Sequence, residues 1–231
     1  MRTRKDGHFD NFCKIVNSDY ICIRMQTTIK PSTKEDLMQG QILQAAQHLF
    51  QKYGFQKVTM DDVARAIGKG RSSLYYYYKS KDEVFDAVID AEIREIIAEL
   101  GRAIDQATTV EEKFRDFCLT KIRIARKKSE FFHALESGMN ADEMSQYARK
   151  KQAVTRRMMG EETGLLRELV VAGIKTKELP KMGSSAIDMA VFVMLNSLHG
   201  LKMGMLTGND FSRLDDAVDV LTNMAMRAMG R

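Results

Sequence analysis

Between residues 65 and 81 the chain reads R-A-I-G-K-G-R-S-S-L-Y-Y-Y-Y-K-S-K, with five Lys or Arg, four consecutive tyrosines and no Asp or Glu. Cationic side chains without interleaved carboxylates attract phosphate, and phenolic hydroxyls can hydrogen-bond to it, so this stretch is equipped to contact a polyanion. Residues suited to bond-making are sparse. Four histidines, His8, His48, His133 and His199, stand at no metal-ligand spacing and at no nucleophile-base spacing with a partner. The sequence carries no Gly-rich phosphate loop and no G-x-S-x-G elbow. Cys13, Cys22 and Cys118 lack metal-ligand spacing, and an odd, sparse set reads as reduced cytosolic thiols, with Cys118 as a small buried hydrophobe. Neither an enzyme nor a metal or cofactor is expected.

The elements that must carry the basic stretch follow from periodicity. Val63, Ala64 and Ile67 fall at i, i+1 and i+4, and Leu74 and Tyr78 resume the pattern beyond a Gly68-Lys69-Gly70 turn. Two short helices pinched around glycine make a helix-turn-helix. Ahead of them Ile42, Ala45, Ala46, Leu49, Phe50 and Tyr53 stripe a first helix of about five turns, which Gly54 ends. Phe55 and Val58 cover its base. Thr59 is an N-cap for the second helix, with Asp61 and Asp62 complementing the dipole of its first turn. The third helix opens at Gly70 or Arg71 and closes near Tyr78. Ser80 followed by Lys81, Asp82 and Glu83 starts a fourth, which Val84, Phe85, Val88, Ile89, Ile93, Ile96 and Ile97 carry to about Leu100.

The whole chain, 231 residues and 44% hydrophobic, suffices for a small domain and a larger one. Its net charge of +5 is uneven, since residues 1–33 hold six Lys/Arg against three Asp/Glu. Those residues show no sustained helical period and no secretory pattern, and read as a mobile arm, or a basic arm for a minor groove, with Met25 as an alternative start. Phe114, Phe117, Cys118, Lys121, Ile122 and Ala125 stripe a fifth helix over about 110–128, and Phe131, Phe132 and Leu135 begin a sixth. Further helices are expected over about 142–159, 163–174, 184–206 and 212–229, with Pro180 interrupting. Asp188, Asn196, His199 and Lys202 break the longest apolar run, residues 186–206, so a buried helix fits it better than a bilayer span, and no membrane partner is expected.

A helix ending L-F-x-x-x-G-F, then V-T-M-D-D-V-A, then G-K-G-R-S-S-L-Y-Y-Y-Y-K-S-K-D-E-V-F, resembles the DNA-binding domain of TetR-family transcriptional repressors over residues 40 to 86. Lys69, Gly70 and Ser72 depart from the residues common at those places. The resemblance implies an all-α chain: a helix-turn-helix domain at 34–82, then a helical effector-binding and dimerisation domain at 83–231. It implies that Arg71, Ser72 and Tyr75 face base edges, that Ser73, Tyr76, Tyr77 and Lys81 hold phosphates, and that Leu74 and Tyr78 pack inward. Thr59 is counted with the DNA-contacting set.

The same resemblance implies a homodimer joined through the last two long helices, and Met194, Leu195, Leu198 and Leu221 are the expected seam. Gly200 and Gly204 would allow close helix approach there. The phenylalanine concentration points to a pocket for a small apolar or amphipathic effector, bounded by some of Phe117, Cys118, Lys121, Ile122, Phe131 and Phe132. The implied partner is double-stranded DNA carrying a palindromic operator, and the implied location is the cytoplasm. The alternative from another class is a helical interaction module whose tyrosine-rich face binds protein.

Overall fold

The computed structural model describes residues 33–136 and 141–230, without the side chains of 131, 132, 134–136, 143, 146 and 150. The arm expected at 1–33, with Cys13, Cys22 and His8, thus lies outside the described residues except for Thr33. Among the described residues there are eight helices and no strand: α1 (Lys34–Tyr53), α2 (Met60–Ala66), α3 (Arg71–Tyr77), α4 (Lys81–Gln106), α5 (Val110–Glu136), α6 (Ala141–Lys175), α7 (Ser184–Gly208) and α8 (Leu214–Ala228). One hydrophobic core runs from Ile42 in α1 to Met229 after α8.

The first three helices are specified by their ends. Thr33 and Asp36 form a capping box on α1, and Thr59 and Asp62 form another on α2. Past α2, Gly68 takes φ +65°; the Gly68 N–H donates to the Arg65 carbonyl and the Lys69 N–H to the Ala64 carbonyl. That is a Schellman turn, and it sets the angle at which α3 leaves. Phe50 and Leu74 are fully buried, and Phe50, Phe55 and Phe85 form an aromatic triangle with centroids 5.5, 5.9 and 4.9 Å apart. Because Phe85 lies near the start of α4, the triangle joins the reading head to the long connector.

Beyond the head the helices are fewer and longer than periodicity suggests. The expected fifth and sixth helices are one, α5, and those expected at 142–159 and 163–174 are one, α6. A mid-helix glycine such as Gly160 costs only about 1 kcal/mol. Beside it, Glu162 is buried on α6 and ion-paired to Lys121 of α5, so tertiary contact carries the helix across. Near the end of α6, Gly173 lets α5 approach: a Cβ there would stand 2.5 Å from Val110 Cγ2. Arg115 of α5 pairs with Asp219 of α8 at 2.5 Å, and Arg167 of α6 with Asp188 of α7 at 2.9 Å.

By length and composition α7 alone among the described helices could cross a membrane. Its inward stripe, Ile187, Val191, Met194, Leu195 and Leu198, is buried in the core. Its outer side is also apolar and is exposed, with Met189 and Phe192 each 62% accessible.

Two glycines separate backbone conformation from crowding, since a Cβ at either Gly68 or Gly101 meets nothing within 4 Å. Gly68→Ala is expected to lose about 1–2 kcal/mol through its left-handed backbone. Gly101→Ala, inside α4, is expected to gain about 0.5–1 kcal/mol. Urea unfolding at matched protein concentration checks both signs.

Candidate nucleic-acid interface

The recognition helix shows its chemistry on one side. Arg71, Ser72, Ser73, Tyr75 and Tyr76 are exposed, Leu74 is buried beneath them, and Tyr77 and Tyr78 are half-buried against the core. For Tyr78 the inward placement was expected; Tyr77 shares it, with its ring 5.0 Å from Tyr76 edge to face.

Carboxylates absent from the 65–81 window arrive from neighbouring helices. The Arg71 guanidinium lies over the Tyr75 ring at 5.3 Å, donates to the Tyr75 hydroxyl at 3.3 Å and pairs with Asp61 of α2 at 3.3 Å. Both ions of that pair are largely solvated, so it positions the arginine more than it stabilises the fold. Tyr76 donates its hydroxyl proton to Glu35 of α1 at 3.2 Å, and this bond, with the carboxylate's charge, pushes the phenol's pKa above its ordinary value. Contact with phosphate through that proton requires the Glu35 bond to be exchanged.

Two residues of the expected contact set serve the fold. Thr59 donates its hydroxyl to Asp62 at 2.7 Å and accepts from the Asp62 N–H at 3.2 Å. The hydroxyl and the backbone N–H of Thr59 hold the Asp62 carboxyl below its usual pKa. Lys81 donates to the Phe55 carbonyl at 3.0 Å and the Gln56 carbonyl at 3.3 Å, with its ammonium 4.4 Å from the centre of the Phe55 ring. Lys81 therefore clamps the turn after α1 to the start of α4.

The expected seam is corrected, and the residues expected to bound a pocket lie in the core of the body. Phe117, Cys118 and Ile122 are fully buried core, and burial pushes the Cys118 thiol pKa up, against the opposing charge of Lys121. Lys121 is buried and paired with Glu162; the side chains of Phe131 and Phe132 lie outside the described residues. An open cleft of about 650 Å³ lies on the head, lined by Gln41, Gln44, Gln47, His48, Gln51 and Ile67 among others. Met194, Leu195 and Leu198 are buried inside their own chain and Leu221 is partly so, which leaves them unable to form a seam without unpacking the core. The exposed apolar residues are Met189, Phe192, Val193 and Met203 on α7 with Val220 and Met224 on α8. Their spacing on α7, i, i+3, i+4, i+14, was readable as a second apolar stripe beside the first.

A polar junction between head and body had no local signal. Glu92 of α4, 5% exposed, accepts from Gln47 of α1, and it also accepts from Lys128 of α5 at 2.5 Å. Lys128 reaches Glu95 as well, at 3.2 Å. Burial opposes the Lys128 ammonium, but Glu92 and Glu95 outweigh it and hold the pKa above an ordinary lysine's.

Two short helices meeting at a glycine turn, packed on α1 and presenting a basic, phenolic face, define a helix-turn-helix DNA-binding domain. Residues 42–88 match the family model described as bacterial regulatory proteins, tetR family. Over those residues the chain carries a DNA-binding domain of the type found in TetR-family transcriptional regulators. YfiR of Bacillus subtilis (strain 168), an uncharacterized HTH-type transcriptional regulator, is 35% identical over 75 residues, 32% of this chain and 37% of that protein. TtgR of Pseudomonas putida, an HTH-type transcriptional regulator, is 31% identical over 81 residues, 34% of this chain and 38% of that protein. The chain thus spans little more than a third of the length of either of these relatives. Likeness to solved structures extends further and concerns the fold alone. The fatty acid degradation regulator FadR from Bacillus halodurans superposes with a TM-score of 0.58 at 15% identity, over 85% of this chain and 97% of that one. A transcriptional regulator from Cytophaga hutchinsonii ATCC 33406 gives 0.55 at 21%, over 82% and 97%.

Structural and contact roles on this surface separate by stability. Lys81→Met removes a charged donor from two carbonyls and is expected to cost about 1.5–3 kcal/mol in urea unfolding. Arg71→Ala, at a solvated site, is expected to leave the unfolding midpoint unchanged.

Proposed function

We propose that this protein is a cytoplasmic transcriptional repressor that binds a palindromic operator as a twofold dimer and releases it when a small apolar or amphipathic molecule occupies the body formed by α4 to α8. The exposed Arg71, Ser72, Tyr75 and Tyr76 face of α3 carries the reading. An arginine at the first turn of a recognition helix can pair bidentately with guanine O6 and N7, and Ser72 and Tyr75 lie beside it for neighbouring base edges. Ser73, Tyr76, Tyr77 and Lys81 border that face and serve phosphate contacts.

Dimerisation answers two observations at once. A single helix-turn-helix covers too little DNA for useful specificity. The outer stripe of α7 with Val220 and Met224 is an exposed apolar surface that a second copy would bury. A Cβ at Gly200 or Gly204, both on the exposed side of α7, meets nothing within 4 Å, so another helix has room to approach closely. For release, the effector has to bind one arrangement of α4 better than another, because the shift cannot exceed that difference in affinity. Gln47, Glu92 and Lys128 transmit it: a body that moves Lys128 disturbs the carboxylate that holds α1.

Selection of genomic fragments on the purified protein is expected to recover an inverted repeat, with affinity falling steeply as salt rises through counterion release. On that operator Arg71→Ala is expected to lose about tenfold to a hundredfold in affinity, concentrated at one base pair of each half-site. Recovery of unrelated fragments, or salt-independent binding, would contradict the reading.

The seam is tested separately by sedimentation at micromolar concentration. Phe192→Glu is expected to give folded monomers. Leu198→Glu, buried in its own chain, is expected to unfold the body instead.

A further inference from the structure

The body between α5, α6 and α7 contains charge where its neighbours are apolar. Lys121 of α5 is 7% exposed, Glu162 of α6 is 1% exposed, and the lysine donates to the carboxylate. Those two charges cancel. A second lysine joins them: Lys202 lies four residues past Leu198 on the stripe Ile187, Val191, Leu195, Leu198, so a cation stands where the inward apolar face of α7 would continue. Lys202 is partly buried, and no carboxylate among the described residues pairs with its ammonium. Burial and the nearby Lys121 hold its pKa below an ordinary lysine's, offset only in part by Glu162. His199, one turn earlier, is held toward its neutral form by burial, Lys202 and Lys121. Four groups on three helices thus sense one another, and their formal charges sum to one positive charge in excess.

An ammonium taken out of water without a counter-ion is unfavourable, and an added anion would remove that cost while accepting hydrogen bonds from it. Phe117, Cys118 and Leu198, one turn along the same helices, are fully buried and apolar. We infer that Lys202, with Lys121 and Glu162 behind it and His199 at its side, forms the subsite for the monoanionic head group of an amphiphilic ligand whose apolar tail lies along the core of the body. Glu162 has a defined part in this arrangement. It neutralises Lys121, so that the site takes one negative charge and rejects two. The inference rests on the ligand-controlled reading above and narrows it to a chemical class.

Three probes with one tail separate head group from tail: dodecanoate, dodecan-1-ol and dodecyltrimethylammonium, titrated calorimetrically into the full-length protein below their micellar concentrations. The parent is expected to bind dodecanoate at least about tenfold tighter than the alcohol, the scale of a charge-assisted hydrogen bond, and the cation least. Lys202→Met should erase the preference for dodecanoate while leaving alcohol binding unchanged, and Lys202→Arg should retain it. In the parent, carbon-detected titration of the Lys202 side chain should show its pKa rising when dodecanoate binds. Equal binding of acid and alcohol, or a preference that survives Lys202→Met, overturns the subsite and leaves an uncharged apolar pocket standing. Failure of all three probes to bind overturns the subsite and counts against an amphiphile-controlled body as well. If Lys202→Met does not fold, the Lys202 titration in the parent decides: a pKa unmoved by dodecanoate overturns the proposal.

Discussion

A buried carboxylate that has to be satisfied from two directions ties this molecule together. Glu92 sits on α4 with almost no access to water and receives one hydrogen bond from Gln47 of the head and one from Lys128 of the body. Withdrawing a partner from a buried charge costs several kcal/mol, because the remaining ion keeps its desolvation penalty without its compensation. Head and body therefore cannot shift against each other at this point without disturbing the same carboxylate. The Phe50, Phe55 and Phe85 triangle adds an apolar joint one end of the helix away. Both joints are on α4, so the connector carries the contacts that join head and body.

The recognition face is ordered before any DNA arrives. Arg71 is stacked on Tyr75 and tethered to Asp61, and Tyr76 is tethered to Glu35. Such tethers reduce the rotamer entropy that binding would otherwise have to remove. They also oppose binding, because each carboxylate competes with DNA for the same donor. A phosphate or base edge would have to offer better geometry than these solvated partners to displace them.

In the body, α7 is apolar on two sides, and among the described residues only one side is covered. The inward packing of Ile187, Val191 and Leu198 leaves Met189, Phe192 and Val193 exposed. The lysine that ends the inward stripe places a charge where packing alone would call for leucine.

Helix ends and the reading head were legible from residues alone. Thr33, Thr59, Gly68 and Ser80 act within three or four positions of themselves, and α2, the turn and α3 are specified by such local chemistry. The inward faces of α1 and α4 were likewise legible, since each shows a single apolar stripe. Four features were decided only by tertiary structure: the continuity of α6 through Gly160, the inward burial of Leu198, the engagement of Lys81 by the Phe55 carbonyl, and the Gln47–Glu92–Lys128 junction. Their partners lie 26 to 45 residues away in the three cases where a hydrogen bond or ion pair is responsible. Helical periodicity reports which faces of a helix are apolar, but which of two apolar faces meets its own core, and which distant charge satisfies a buried one, is set by packing in three dimensions.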